Sequence, residues 1–190
     1  MGLCVGVALA AACGLRVFAP LLVVGMGANL GAVELGESFA WMGTWPALLS
    51  FGVATVVETA ASSWPWLDHA LDAAAAPLAL VAGAILTVSQ LDHLHPALAW
   101  GSGIVAGGGV ASATQVSGVS VRGVSTLTTG GLLNPVLNSI QSLLATVLSV
   151  LAVVVPAAAA GIVLIVAALG VRWYLHRRGR RARVAAALAG

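Results

Sequence analysis

Gly14-Leu15-Arg16-Val17-Phe18-Ala19-Pro20 sets a charged side chain in the middle of an apolar run that extends over residues 3–28. About 20 apolar residues make a helix long enough to cross a bilayer core, so the run reads as a membrane span that carries an arginine. An arginine in hydrocarbon costs roughly 2.5–3.5 kcal/mol even on lenient insertion scales. Pro20 lies four positions after Arg16, where it removes the donor to the Arg16 carbonyl and clashes with it. The sequence therefore predicts a helix that kinks or unwinds beside its own charge. Glu58, near the end of the second apolar run, and Arg122, between the fourth and fifth, pose the same problem.

Composition agrees with a membrane setting. The 190 residues are 60% hydrophobic and 7% charged, with no lysine, and the mean hydropathy is +1.05. A soluble domain of this size needs a far more charged surface, so an all-α, polytopic helical bundle is the expected class. All eight basic residues are arginines, six of them in the tail from Arg172 through Arg177, Arg178, Arg180 and Arg181 to Arg183. Basic clusters next to a span stay on the cytoplasmic side, which puts the C-terminus inside a bacterial inner membrane. Without interleaved aromatics, the tail reads as a membrane-surface element and not as a nucleic-acid site. Cys4 and Cys13 are two to three helical turns apart in one segment, out of reach of each other. The first run is too long for a signal-peptide core and lacks its basic start, so it is expected to be retained as a span.

Outward from that run the chain repeats a pattern. An acidic connection with Glu34 and Glu37 leads to a second run over residues 45–61, flanked by Trp41, Trp45, Trp64 and Trp66 as an interfacial aromatic belt would flank it. Residues 62–72 read as an interfacial turn, residues 73–88 as a short third run, and Gln90-Leu91-Asp92-His93-Leu94-His95-Pro96 as a polar knot. The fourth run, residues 97–116, is glycine-rich and suited to close helix packing. Residues 117–135, rich in Gly, Ser and Thr, read as the least helical part of the chain. Residues 136–171 are apolar apart from Pro156; one helix of that length would measure about 54 Å at 1.5 Å per residue, so a fold-back near Val155-Pro156 is expected. Each half thus holds an Arg in a broken stretch, a Pro opening a span (Pro46, Pro135), a polar residue within it (Glu58, Gln141) and a Pro in its last run (Pro77, Pro156). The expected domains are a first membrane unit over 1–96, a second over 97–175, with three spans or two, and a basic cytoplasmic tail over 176–190. Six spans in two three-helix units would form an inverted repeat with both termini inside.

Two facing broken segments, Gly14 to Pro20 and Gly123 to Asn134, would offer hydroxyls, helix ends and two guanidinium groups to a small polar solute or ion. The candidate substrate-binding residues are Arg16, Glu58, Arg122, Thr128, Thr129 and Asn134. The alternative is that Arg16 pairs with Glu58 and holds two helices together, as in a non-transporting membrane scaffold or lipid-associated assembly protein. Asp68 and Asp72 share a helical face beside His69, and Asp92 stands near His93 and His95, but neither group has a recognisable fourth ligand, so no metal and no cofactor are expected. No GxSxG, HExxH or Gly-rich phosphate loop occurs, and the chain reads as a non-enzyme. The expected partners are the lipid bilayer and a small solute or ion; the sequence allows a homo-oligomer.

The order Gly14-Leu15-Arg16 to Pro20, then Glu58 to Pro65-Trp66-Leu67-Asp68 and Asp72, then Thr128-Thr129-Gly130-Gly131 with Asn134-Pro135, resembles a bacterial integral-membrane family catalogued as a domain of unknown function, number four-one-two-six. The resemblance covers almost the whole chain and implies a small multi-span protein; it implies no activity. This chain has Ser63-Trp64 where the family often shows a Lys before the proline of the turn, and Gln141 where it often has a Glu. A paired-carboxylate mechanism is therefore not carried over.

Overall fold

The computed structural model describes residues 2–62, 65–91, 93–156, 158–159, 161–165, 168–169 and 172; the side chains of residues 65–72 lie outside that description. The described residues are helical with no strand. In chain order they form α1 (Gly2–Leu15), α2 (Phe18–Asn29), a 3-10 turn (Glu37–Gly43), α3 (Trp45–Ala61), α4 (Pro65–Val88), α5 (Pro96–Ser102), a π-helical stretch (Gly103–Gly108), α6 (Gly109–Thr129) and α7 (Asn134–Val154). Two helical runs, Pro96–Thr129 and Asn134–Val154, are long and apolar enough to cross a membrane, and the 3-10 turn with α3, bent by 63°, makes a third if taken as one span.

The pattern of burial is inside-out. On α6 the buried residues include Gln115, Gly118, Arg122 and Ser125, and on α7 they are Asn138, Gln141, Ala145, Ser149 and Ala152. These recur every three or four positions and so form one face of each helix. Val116, Val121, Val124 and Leu127 on α6, and Val136, Ile140, Leu143, Leu144 and Val147 on α7, point outward. A water-soluble helix shows the opposite arrangement. Polar groups sheltered by protein, with apolar side chains outside, are what a lipid surround selects.

At the centre stands α1, packed against α4, α6 and α7. Small residues permit this. A methyl group on Gly6 would come within 2.7 Å of the Thr87 Cα on α4, and one on Gly14 would overlap the Ala111 carbonyl and Thr114 on α6. The expected break is present: α1 ends at Leu15 and α2 starts at Phe18. The first run does not, however, behave as one span. Gly2 lies against the Gln90 carbonyl just beyond the end of α4, and the Gly36 N–H donates to the Ser89 carbonyl at 3.1 Å. Gly27, late in α2, faces Val153 at the far end of α7, whereas Arg16 reaches Asn138 and Ser142 near the start of α7. The chain thus descends along α1, turns at Arg16–Val17 and returns along α2 toward the end of the bundle from which it came. A single crossing here was the basis for expecting both termini on one side.

The second expected break is displaced. Residues 117–129, read as non-helical, continue α6 to Thr129. In water, serine and threonine draw the backbone away from helix by bonding to it locally. Here the hydroxyls of Ser117, Ser120, Thr126, Thr128 and Thr129 donate to the carbonyls four residues earlier in the same helix, so their polarity is satisfied without unwinding it. The helix stops where the backbone turns left-handed, at Gly130 (φ 63°) and Gly131 (φ 87°), a conformation that glycine adopts without strain. The break near Pro156 is where the sequence places it: α7 ends at Val154, and Val155 leaves the helical region at φ −135°, ψ 74°. Ser63, Trp64, Asp92, residues 157, 160, 166, 167, 170 and 171 of the run after Pro156, and the arginine tail beyond Arg172 lie outside the described residues, as do the side chains of Trp66, Asp68, His69 and Asp72.

Candidate functional site

The turn at Arg16–Val17 leaves two kinds of group in need of partners inside apolar surroundings: a guanidinium and the free N–H groups that begin α2. Both are met from other helices. The Glu58 carboxylate, on the last turns of α3, accepts from the Val17 N–H at 3.0 Å through Oε1 and from the Phe18 N–H at 3.3 Å through Oε2. A carboxylate at a helix N-terminus is favoured by the orphan donors and by the helix dipole together. Cys13 adds a weak contact from its thiol to the Val17 carbonyl at 3.9 Å.

Arg16 is buried and reaches two other segments, the end of α3 and α7. Its Nε donates to Ser142 Oγ at 2.9 Å on α7, and its terminal nitrogens donate to Ser62 Oγ at 3.1 Å, the Asn138 carbonyl at 3.3 Å and the Glu58 main-chain carbonyl at 3.5 Å. Arg16 thus meets Glu58 at its backbone, while the carboxylate is engaged with the α2 N-terminus. The expected Arg16–Glu58 pair is in this sense a shared brace around the turn, in which each residue satisfies a different part of the break.

Arg122, also buried, projects from the inner face of α6. It donates to Gln141 Oε1 through a short contact and to Asn138 Oδ1 at 3.5 Å. Gly118, one turn earlier, lets Gln141 approach: a methyl there would lie 3.1 Å from its Nε2. Asn138 is the node. Its carbonyl accepts from Arg16, its side-chain oxygen accepts from Arg122, and its Nδ2 donates to the Ser62 carbonyl at 3.1 Å. Two candidates of the sequence reading, Arg16 and Arg122, are therefore gathered on α7, and Glu58 is joined to them through its main-chain carbonyl, which accepts from Arg16.

Thr128, Thr129 and Asn134 stand apart from that cluster. Thr128 is exposed, Thr129 is half-buried, and both hydroxyls bond within α6. Asn134 ties the start of α7 to α6 through Nδ2 to Thr126 Oγ1 at 3.0 Å. Replacing Thr128 or Thr129 by valine is expected to change stability by no more than about 0.5 kcal/mol, as for surface positions generally; thermal unfolding in detergent measures it. Sequence reasoning missed Asn138, Ser62 and Ser142. The available signal was spacing: Asn138, Gln141 and Ala145 recur on one helical face, which marks α7 as turned polar side inward. His95 has a local role, since its Nδ1 accepts from the Ala97 N–H at 3.3 Å and caps α5.

No curated protein and no solved structure matches the chain. The residues that carry the cluster, from Arg16 on the first turn to Ser142 on α7, all fall within the stretch 3–176 that matches a family model described as Domain of unknown function (DUF4126), and the chain belongs to that family.

Proposed function

We propose that the protein is a polytopic membrane protein that passes a small polar solute or ion, with the Arg16–Asn138–Arg122 cluster as the closed part of the path. One observation carries the reading: two buried arginines, one from a turned-back helix pair and one from a long apolar helix, converge on Asn138 where the outward faces of the same helices are apolar. Non-helical backbone at membrane depth is tolerated where it is enclosed by protein or lines a cavity, and intramembrane charge commonly marks a conduction path. In this reading α3, α4, α5 to α6, α7 and the run after Val155 cross the bilayer, while α1 and α2 enter and leave on one side. The inverted relation then links α2–α3–α4 with α6–α7 and the last run, with Glu58 and Gln141 in corresponding places. The bacterial inner membrane and a cytoplasmic arginine tail complete the proposal.

Water access tests it. In a background with Cys4 and Cys13 replaced by serine, Ser62→Cys and Ser142→Cys are expected to react with a membrane-impermeant thiol reagent in sealed vesicles. Folded protein in which neither position reacts from either side would overturn the path and leave the second reading, a non-transporting scaffold. That reading is favoured by the bonds of Arg16 to Ser62, Asn138 and Ser142, which tie α1 to the end of α3 and to α7.

A further inference from the structure

We infer that Glu58 is a proton-operated latch on the tip of the α1–α2 pair: its ionised carboxylate holds the tip shut, and its protonation releases it. The inference deepens the path proposed above by naming what opens it.

The geometry ties the backbone of the tip to one side chain. A helix that starts inside protein must find partners for its first N–H groups, and Pro20 in the first turn of α2 has none to offer. Those of Val17 and Phe18 both go to the two oxygens of Glu58, which comes from a different helix 40 and 41 positions along the chain. The carboxylate accepts through each oxygen. A protonated carboxyl keeps one good acceptor and gains an O–H donor, so it cannot receive both N–H groups equally, and what remains is neutral. Charge-assisted hydrogen bonds are roughly twice as strong as neutral ones. Releasing the tip also strains what is attached to it: Arg16, next to Val17, holds α7 at Asn138 and Ser142. Glu58 itself is half-buried, not sealed in the core.

On α3 Glu58 is the sole titratable residue, and α2 and α7 carry none. From α1 come Cys13, whose thiol contacts the same turn, and the permanently charged Arg16 at its end. Asp68, His69 and Asp72 open α4, with side chains outside the described residues.

Cys13 provides a built-in reporter, because it is fully buried at the turn while the other thiol, Cys4, is exposed. In a Cys4→Ser background, Glu58→Gln is expected to raise the rate at which a bulky maleimide reaches Cys13 by about tenfold, in line with the weaker neutral bonds. Hydrogen exchange of the peptide covering residues 13–19 follows the same opening without relying on thiol chemistry. In wild-type protein that exchange, corrected for the intrinsic rate, should rise on acidification, and in Glu58→Gln it should already be high and no longer respond. Wild-type exchange at the turn that ignores acidification overturns the latch, as does a folded Glu58→Gln protein indistinguishable from wild type. Failure of the path is a separate result: it is read at Ser62→Cys and Ser142→Cys by impermeant reagent, and an acid-responsive turn without such access would mean a latch with no conduction behind it.

Discussion

Arg16→Ala is expected to lower stability by about 2–4 kcal/mol, measured as thermal unfolding in detergent. Arg16 makes hydrogen bonds to Ser142, Ser62, Asn138 and the Glu58 backbone. Interhelical hydrogen bonds in membrane proteins average roughly 0.6 kcal/mol with a maximum near 1.7, so four of them give the lower end of the range. Breaking a buried charged network by removing one member reaches about 3–5 kcal/mol, which sets the upper end. Arg16→Lys should recover only part of the loss. A lysine keeps the charge but not the planar fork that spans Ser142 on one edge and Ser62 with Asn138 on the other. Asn138→Ala should be coupled to Arg16→Ala in a double-mutant cycle, because the asparagine also positions Arg122 and Ser62 and residues sharing one network are not additive. An Arg16→Ala protein as stable as wild type would remove the cluster from any structural account of the bundle.

Gly107→Ala and Gly109→Ala are expected to act in opposite directions although they add the same methyl group two positions apart. At Gly107 the methyl would overlap the Gly83 carbonyl and the Thr87 side chain on α4. The obstacle includes the Gly83 carbonyl, which cannot rotate away, and overpacking of this kind costs about 1–3 kcal/mol or more. At Gly109 nothing lies within 4 Å, and alanine exceeds glycine in helix propensity by about 1 kcal/mol. The second change should therefore be neutral or slightly stabilising. Thermal unfolding of the two variants side by side checks the pair; equal effects would mean that the π-helical stretch does not approach α4 as closely as described.

The difference between these two glycines marks where sequence reading stops. The glycine-rich fourth run is recognisable as a packing helix from composition, but the same small side chain is critical at Gly107 and idle at Gly101 and Gly109, and only the position of α4 distinguishes them. Pro20 made the break at Arg16 legible, because a missing N–H and a steric clash are local facts. The direction taken after the break was not legible, since it depends on Glu58 reaching the α2 N-terminus and on α2 packing against α3 and α7. The continuation of α6 through Ser117 and Thr129 was misread for a related reason. Hydroxyls that compete with the helix in water bond within it when the outer surface is apolar.

By itself the sequence determined the helical class, the apolar surface, the break at Arg16 and the end of α7 before Pro156, because each follows from composition or from interactions within a few residues. Only the tertiary structure decided that α1 and α2 turn back, that Glu58 serves the backbone of α2, and that Asn138 joins two arginines. Those are contacts between residues from 16 to 122 positions apart. Such groups signal in the sequence only that a buried charge needs a partner; which partner it finds is fixed by how the helices pack.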